Sequence, residues 1–176
     1  MVSISRWLRS DETDRPFEHC ILCQKALLEI GVSWLVNKEY QSDECVIEYA
    51  ICIPCRDDVG KGIDAESKEA VRHFIADEID WDSRMKEFMM EADVAGRFDA
   101  CIGCLEPRET LDGYGICALY DADGDLTVGA LPLLICKTCT TRMFLKISAS
   151  SRETLQKFRK AFLTGDTDLD NDLGFF

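Results

Sequence analysis

The sequence predicts an α+β fold in which two short β-hairpin units, each bounded by cysteine pairs, are joined and followed by helices. Three observations predict it. Four C-x-x-C pairs form two matched sets within the 176 residues. Between the pairs of each set lies an apolar, β-branched run broken once by polar residues, the pattern of a hairpin. Between the sets, and again after the second, apolar residues recur at helical spacing.

The first set is Cys20-Ile-Leu-Cys23, then 28 residues, then Cys52-Ile-Pro-Cys55. The second is Cys101-Ile-Gly-Cys104, then 31 residues, then Cys136-Lys-Thr-Cys139. An isoleucine, Ile51 or Ile135, precedes each second pair. In the first unit residues 32–40 and 45–53 read as strands, with the polar stretch 41–44 as their turn. In the second, 114–120 and 126–135 take those parts, and the Asp-Ala-Asp-Gly stretch 121–124 is the turn.

Asp64 is a natural N-cap for a helix reaching about residue 79, with Ala70, Val71, Phe74 and Ile75 on one side. A second helix over 82–94 places Met85, Phe88, Met89 and Ala92 at i, i+3, i+4 and i+7, a stripe that reads as core. Residues 140–147 suit a short helix. Ser150 with Glu153 makes a capping-box signature for a helix over 151–162, with Leu155, Phe158 and Phe162 on one face and Gly165 ending it. The division that follows is a first module over 1–60, a helical connector over 61–97, a second module over 98–147, and a C-terminal helix with an acidic, fraying tail over 148–176.

The apolar share of 47% and the charged share of 30% describe a chain able to bury a core. Its net charge of −13 disfavours nucleic acid, whose binders carry a basic face. The local exception, Arg152, Lys157, Arg159 and Lys160, reads as the solvated side of a helix. Residues 1–10 contain Trp7 and Leu8 but no signal-like apolar run, and nowhere do about 18 apolar residues follow one another. A soluble, cytoplasmic protein without membrane attachment is expected. In that reducing compartment ten cysteines point to metal or redox chemistry rather than to disulfides.

A C-x-x-C pair can turn so that both sulfurs face one ion, and two pairs complete a tetrahedron. Cys20, Cys23, Cys52 and Cys55 are therefore expected to hold one metal ion, and Cys101, Cys104, Cys136 and Cys139 another. Four thiolates suit zinc, and a closed four-cysteine shell is structural. Two zinc ions per chain are expected, with iron the lesser alternative. On these eight cysteines the chain resembles the broad zinc-ribbon and treble-clef class of zinc fingers, over about half its length. The resemblance implies a β-hairpin and a short helix in each module. Residues 56–59 and 140–143 suit the helix that opens at the second pair of a treble clef. Gln24 and Leu105 stand where zinc-ribbon knuckles often carry a small residue, which favours the treble clef. The spacing alone is also similar to that of rubredoxins and of the tandem zinc repeats of a papillomavirus oncoprotein.

Cys45 and Cys117 belong to no pair and read as strand-packing thiols. His19 adjoins Cys20, but four cysteines already complete that set; His73, inside the central helix, reads as a surface or satisfied core histidine rather than a catalytic one. Asp121, Asp123 and Asp125 alternate as in a calcium loop, yet Leu126 stands where such a loop needs glycine, so an acidic turn is the better reading. No nucleophile elbow, P-loop or dinucleotide fingerprint is present, and Gly113-Tyr114-Gly115 lacks the context for one. The sequence thus favours a non-enzymatic protein-interaction or adaptor module, contacting a protein partner through residues 81–90 or the acidic tail. A thiol–disulfide redox protein is the alternative, and a zinc-dependent nucleic-acid regulator the third reading.

Overall fold

A computed structural model describes residues 7–90 and 93–163. The first hairpin is built from β1 (Trp34–Gln41) and β2 (Glu44–Cys52), paired antiparallel from Trp34↔Cys52 to Gln41↔Glu44. Ser42 and Asp43, both in the left-handed region at φ 50° and 64°, make a two-residue turn, tighter than the four residues the sequence suggests. Two such residues match the right-handed twist of the strands they join. The strand expected to run on to residue 53 stops at Cys52, because Ile53 opens helix α1 (Ile53–Gly60).

The second hairpin departs further from expectation. β3 (Gly113–Tyr120) pairs with two short strands along one edge, β4 (Leu126–Thr127) and β5 (Leu133–Cys136), where one strand over 126–135 was expected. Pro132 has no N–H to give a ladder, and the chain leaves the sheet over 128–132 with a cis peptide between Leu131 and Pro132. Buried Arg97 holds the excursion by donating to the carbonyls of Gly129 at 2.8 Å and Leu131 at 3.2 Å.

The two hairpins join through their first strands. β1 pairs antiparallel with β3 from Trp34↔Tyr120 to Gln41↔Gly113, so one five-stranded sheet runs β2-β1-β3 and then to β4 and β5. An aromatic stack sits near each end of the junction. Trp34 lies on Tyr120 with rings 5.7 Å apart, and Tyr40 on Tyr114 at 5.0 Å. Directly opposed aromatic pairs of this kind stabilise a strand pair by up to about 1 kcal/mol relative to a pair of alanines. Being central, β1 and β3 are buried almost throughout rather than alternating.

The mixed helices and antiparallel sheet are those of an α+β chain. Asp64 caps α2 (Ala65–His73) by accepting from Ser67 N–H at 2.7 Å, and a π-helical turn over Phe74–Glu78 completes the stretch expected to reach residue 79. α3 (Trp81–Met90) is shorter than the expected 82–94, since Asp93 starts a separate 3₁₀ turn over Val94–Phe98. Met85 and Phe88 are half-buried on α3 while Met89 is exposed; Ala92 lies outside the described residues. α4 (Lys137–Leu145) begins three residues before the expected 140 because Cys136 caps it.

α5 (Ala149–Phe162) is capped by Ser148, not by Ser150 as the sequence suggests. Ser148 Oγ accepts from Ser151 N–H at 3.2 Å, and Glu153 pairs forward with Lys157 at 2.9 Å instead of reaching back. The competing element is Asp64, whose Oδ2 accepts from both Ser148 Oγ and Ser151 Oγ. Ser148 N–H in turn donates to Ser67 Oγ at 2.9 Å, so the starts of α2 and α5 cap one another. The expected end at Gly165 and the acidic tail 166–176 lie outside the described residues.

Candidate metal centres

The eight cysteines of the four pairs come together as expected, in fours. Cys20, Cys23, Cys52 and Cys55 form one group and Cys101, Cys104, Cys136 and Cys139 the other, with ligand atoms of each group within 4.8 Å of one another. The backbone that does this is the same in both units. Cys20 N–H donates to Lys25 O and Gln24 N–H to Cys20 O; Cys101 N–H donates to Glu106 O and Leu105 N–H to Cys101 O, all at 2.9 to 3.0 Å. Each first pair thus rides a tight loop closed by an isolated bridge, His19↔Ala26 or Ala100↔Pro107.

Each loop is then tied to the hairpin it must meet. Ile21 N–H donates to Ala50 O at 2.8 Å, and Ile102 N–H to Leu134 O at 2.9 Å, in both cases two residues before the second pair. Each second pair opens a helix, with Cys52 at the N-cap of α1 and Cys136 at that of α4. The free N–H groups of a helix start favour negative charge, so the arrangement suits thiolates. Gln24 and Leu105 occupy the left-handed region at φ 58° and 63°, where glycine is the usual residue. The loop conformation was therefore hidden in the sequence, because neither position advertises it.

Sulfur geometry fits a four-coordinate ion. Cys23 Sγ lies 4.0 Å from Cys52 Sγ, and Cys104 Sγ 3.7 Å from Cys136 Sγ. Four sulfurs about 2.3 Å from a tetrahedral zinc ion stand about 3.8 Å apart, whereas a disulfide needs about 2.05 Å. All ten cysteines are free thiols.

The electrostatics show why a cation belongs there. Burial pushes the Cys20 thiol up, but backbone N–H groups of Cys23, Cys52 and Leu22 outweigh it and bring it down to about 7. Thiols of Cys136 and Cys139 donating to Cys101 hold that sulfur far below the usual thiol range, against its burial. Cys136, Cys139 and Cys55 move the opposite way. Donation to Cys101 pushes Cys136 up to about 12 and Cys139 further still, while burial and donation to Cys52 and Cys23 push Cys55 up. A divalent ion beside these sulfurs would favour the ionised form of each thiol.

A third group that sequence patterns did not signal brings Asp11, Cys45 and Glu48 together. Its cation is already in the chain. Lys38, fully buried, places Nζ 2.7 Å from Asp11 Oδ2 and 3.6 Å from Glu48 Oε2, and donates to Arg9 O at 2.7 Å. Glu48 also accepts from Ser10 Oγ at 2.6 Å and Asp11 N–H at 2.7 Å. This is an ammonium-centred structural cluster, not a metal seat.

The remaining candidates fall outside both cysteine groups. Burial keeps the Cys45 thiol high despite Lys38 beside it, and pushes Cys117 up to about 12, so both are neutral thiols packed on strands. His19 is exposed on the first loop, and His73 is exposed on α2 with Glu69 at 3.4 Å and Asp77 at 3.7 Å. Asp121 Oδ1 accepts from the N–H groups of Asp123 and Asp125 at 3.0 and 2.9 Å, the self-bonded turn the sequence suggests. Of the basic C-terminal stretch, Arg159 forms a two-pronged ion pair with Glu39 at 2.8 and 2.9 Å, and Arg152 donates to Ile147 O at 3.0 Å. Among the described residues no helix is long and apolar enough to cross a membrane.

The fold and its centres define a chain with two four-cysteine clusters able to bind a metal such as zinc. Compared with known protein families, with curated proteins and with solved structures, the sequence matches none.

Proposed function

We propose that the chain is a non-enzymatic module, cytoplasmic, whose two zinc ions are structural and whose surface binds a protein partner. The observation that carries the reading is the composition of the two metal groups. Each contains four cysteines and, among the described residues, no histidine or carboxylate. A catalytic zinc keeps a position for water or substrate, whereas a full thiolate shell closes it. The repeated order of tight loop, hairpin and helix supports a treble-clef assignment for each unit, the helix in both cases opening at the second cysteine pair.

Mass spectrometry under native conditions tests the metal content, with two zinc ions per chain expected and none, or iron, overturning the assignment. Partner binding is tested by capture with the full chain from native lysate. Recovery of nucleic acid alone, released by salt, would replace the protein partner with the regulator reading. The redox alternative draws on the exposure of Cys23 and Cys104. It predicts rapid alkylation of one pair in the zinc-loaded chain, and the structural reading predicts slow alkylation of all four pairs.

A further inference from the structure

α1, α2, α4 and α5 surround an open groove of about 570 Å³. Its apolar lining comes from Ile63, Val71, Met143, Phe144, Ile147 and Leu155. Its rim is basic: Arg56 within α1 and Lys61 at its C-terminal cap, Lys68 and Arg72 on α2, against the single acid Asp57. A concentration of cations beside apolar side chains is conspicuous in a chain of net charge −13.

We propose that this groove receives the chain's own acidic segment, residues 166–176. The inference deepens the interaction-module reading and rests on it. The segment reads Asp-Thr-Asp-Leu-Asp-Asn-Asp-Leu-Gly-Phe-Phe and contains no lysine or arginine. Asp166, Asp168, Asp170 and Asp172 alternate with Thr167, Leu169, Asn171 and Leu173. Laid out extended, it presents four carboxylates on one side and Leu169, Leu173 and Phe175 on the other. Alternate residues of an extended chain stand about 6.6 Å apart, and residues four apart on a helix, such as Lys68 and Arg72, about 6 Å. The carboxylate ladder and the basic rim therefore share a spacing.

The chain also reaches. Leu155, at the groove, lies eight residues before Leu163 along α5, a distance of about 12 Å. From Leu163 to Asp168 the extended chain spans up to about 17 Å, enough to turn back so that the segment lies along the groove from Asp168 onward. Rim pairs already present do not forbid it. Arg56 pairs with Asp57, Lys61 with Asp58 and Arg72 with Glu69, but each pair is between side chains at least a third exposed. Exposed pairs of this kind contribute little and exchange readily.

A fluorescent peptide of sequence 166–176, titrated into the full chain and followed by anisotropy, tests the proposal. In wild type the tethered segment competes at an effective concentration near millimolar, so the peptide binds weakly. A full chain with Asp166→Asn, Asp168→Asn, Asp170→Asn and Asp172→Asn should bind it at least about tenfold more tightly. Adding Lys68→Glu and Arg72→Glu, both exposed positions, should abolish that binding while zinc content and circular dichroism stay unchanged. Carbodiimide cross-linking of wild type should join an aspartate of the segment to Lys61 or Lys68 within the monomer. Equal peptide affinity for wild type and the neutralised chain, indifference to the Lys68 and Arg72 reversal, or cross-links confined to dimers would each overturn it. Zinc counting and lysate capture read the interaction-module proposal separately, so either can fail without the other.

Discussion

The two cysteine units share a backbone and differ in how far they enclose it. In the second unit Cys101, Cys136 and Cys139 are all buried, leaving Cys104 exposed; in the first Cys20 and Cys52 are buried, Cys55 is half-exposed and Cys23 is exposed. The second helix start is also better satisfied. Cys136 Sγ accepts from Cys139 N–H at 3.3 Å and caps α4, whereas α1 has no side-chain cap. One scaffold thus presents a more closed and a more open metal seat. The difference predicts unequal metal retention from equal ligand sets.

Removing a ligand should give the largest effect. Cys101→Ser takes away the sulfur that accepts N–H bonds from Gly103 at 3.3 Å and Cys136 at 3.2 Å, and should reduce zinc from two ions to one per chain. Because metal affinity in such units is folding free energy, the stability loss should be at least about 3 kcal/mol, or roughly 6 to 12 °C in Tm for a chain of this size. Cys20→Ser should do the same to the first site by a smaller margin. Differential scanning calorimetry with native mass spectrometry measures both, and equal losses would erase the contrast between the units. Cys104→Ser, at the exposed corner, should likewise empty and unfold the second unit.

The order of metal release sharpens the contrast without mutation. Under a slow chelator the first unit should lose zinc first, leaving a one-zinc intermediate in which Cys23 and Cys55 alkylate before Cys101, Cys136 and Cys139. Timed alkylation with peptide mapping reads that order, and simultaneous labelling of both units would contradict it.

A third effect isolates one contact. Gly103 sits between Cys101 and Cys104, and a Cβ there would lie 2.8 Å from Cys139 Sγ, closer than such atoms approach. Gly103→Ala should push that sulfur and cost about 1–3 kcal/mol, a typical overpacking penalty. The first unit holds Leu22 at the matching place, so its more open cluster already accommodates a large side chain. Zinc retention at the second site should fall in Gly103→Ala while the first is untouched.

Much of this was legible in the sequence. The eight cysteines, the first hairpin and the Asp64 cap follow from spacing and local propensity, which are short-range signals. What was not legible depends on contacts far along the chain. The joining of β1 to β3 is set by opposed aromatics such as Tyr40 and Tyr114, 74 residues apart. The burial of Lys38 is set by partners distant in sequence, the Arg9 carbonyl, Asp11 and Glu48. Ser150 looked like the cap of α5 because its spacing to Glu153 is right, but Ser148 is the serine that Asp64 reaches.

That last contact yields the smallest expected effect, and one that depends on pH. Hydrogen bonds from Ser148, from the Ser67 backbone and from Ser151 hold the Asp64 carboxyl well below the usual carboxylate range. A group whose pKa is depressed on folding contributes stability above its unfolded value, about 3.9, and that contribution disappears as pH falls toward the folded value. Asp64→Ala removes the cap of α2 and the shared acceptor of α5 together. The difference in Tm between wild type and Asp64→Ala should be greatest near neutral pH and should shrink as pH falls through 4 and below. Acid also releases zinc from both chains, but that loss is common to them and cancels in the difference. Neither helix supplies a metal ligand, so zinc content at pH 7 should stay at two in the variant. A gap that widened with acid would mean that Asp64 is protonated in the fold, and that the two helix starts are held together some other way.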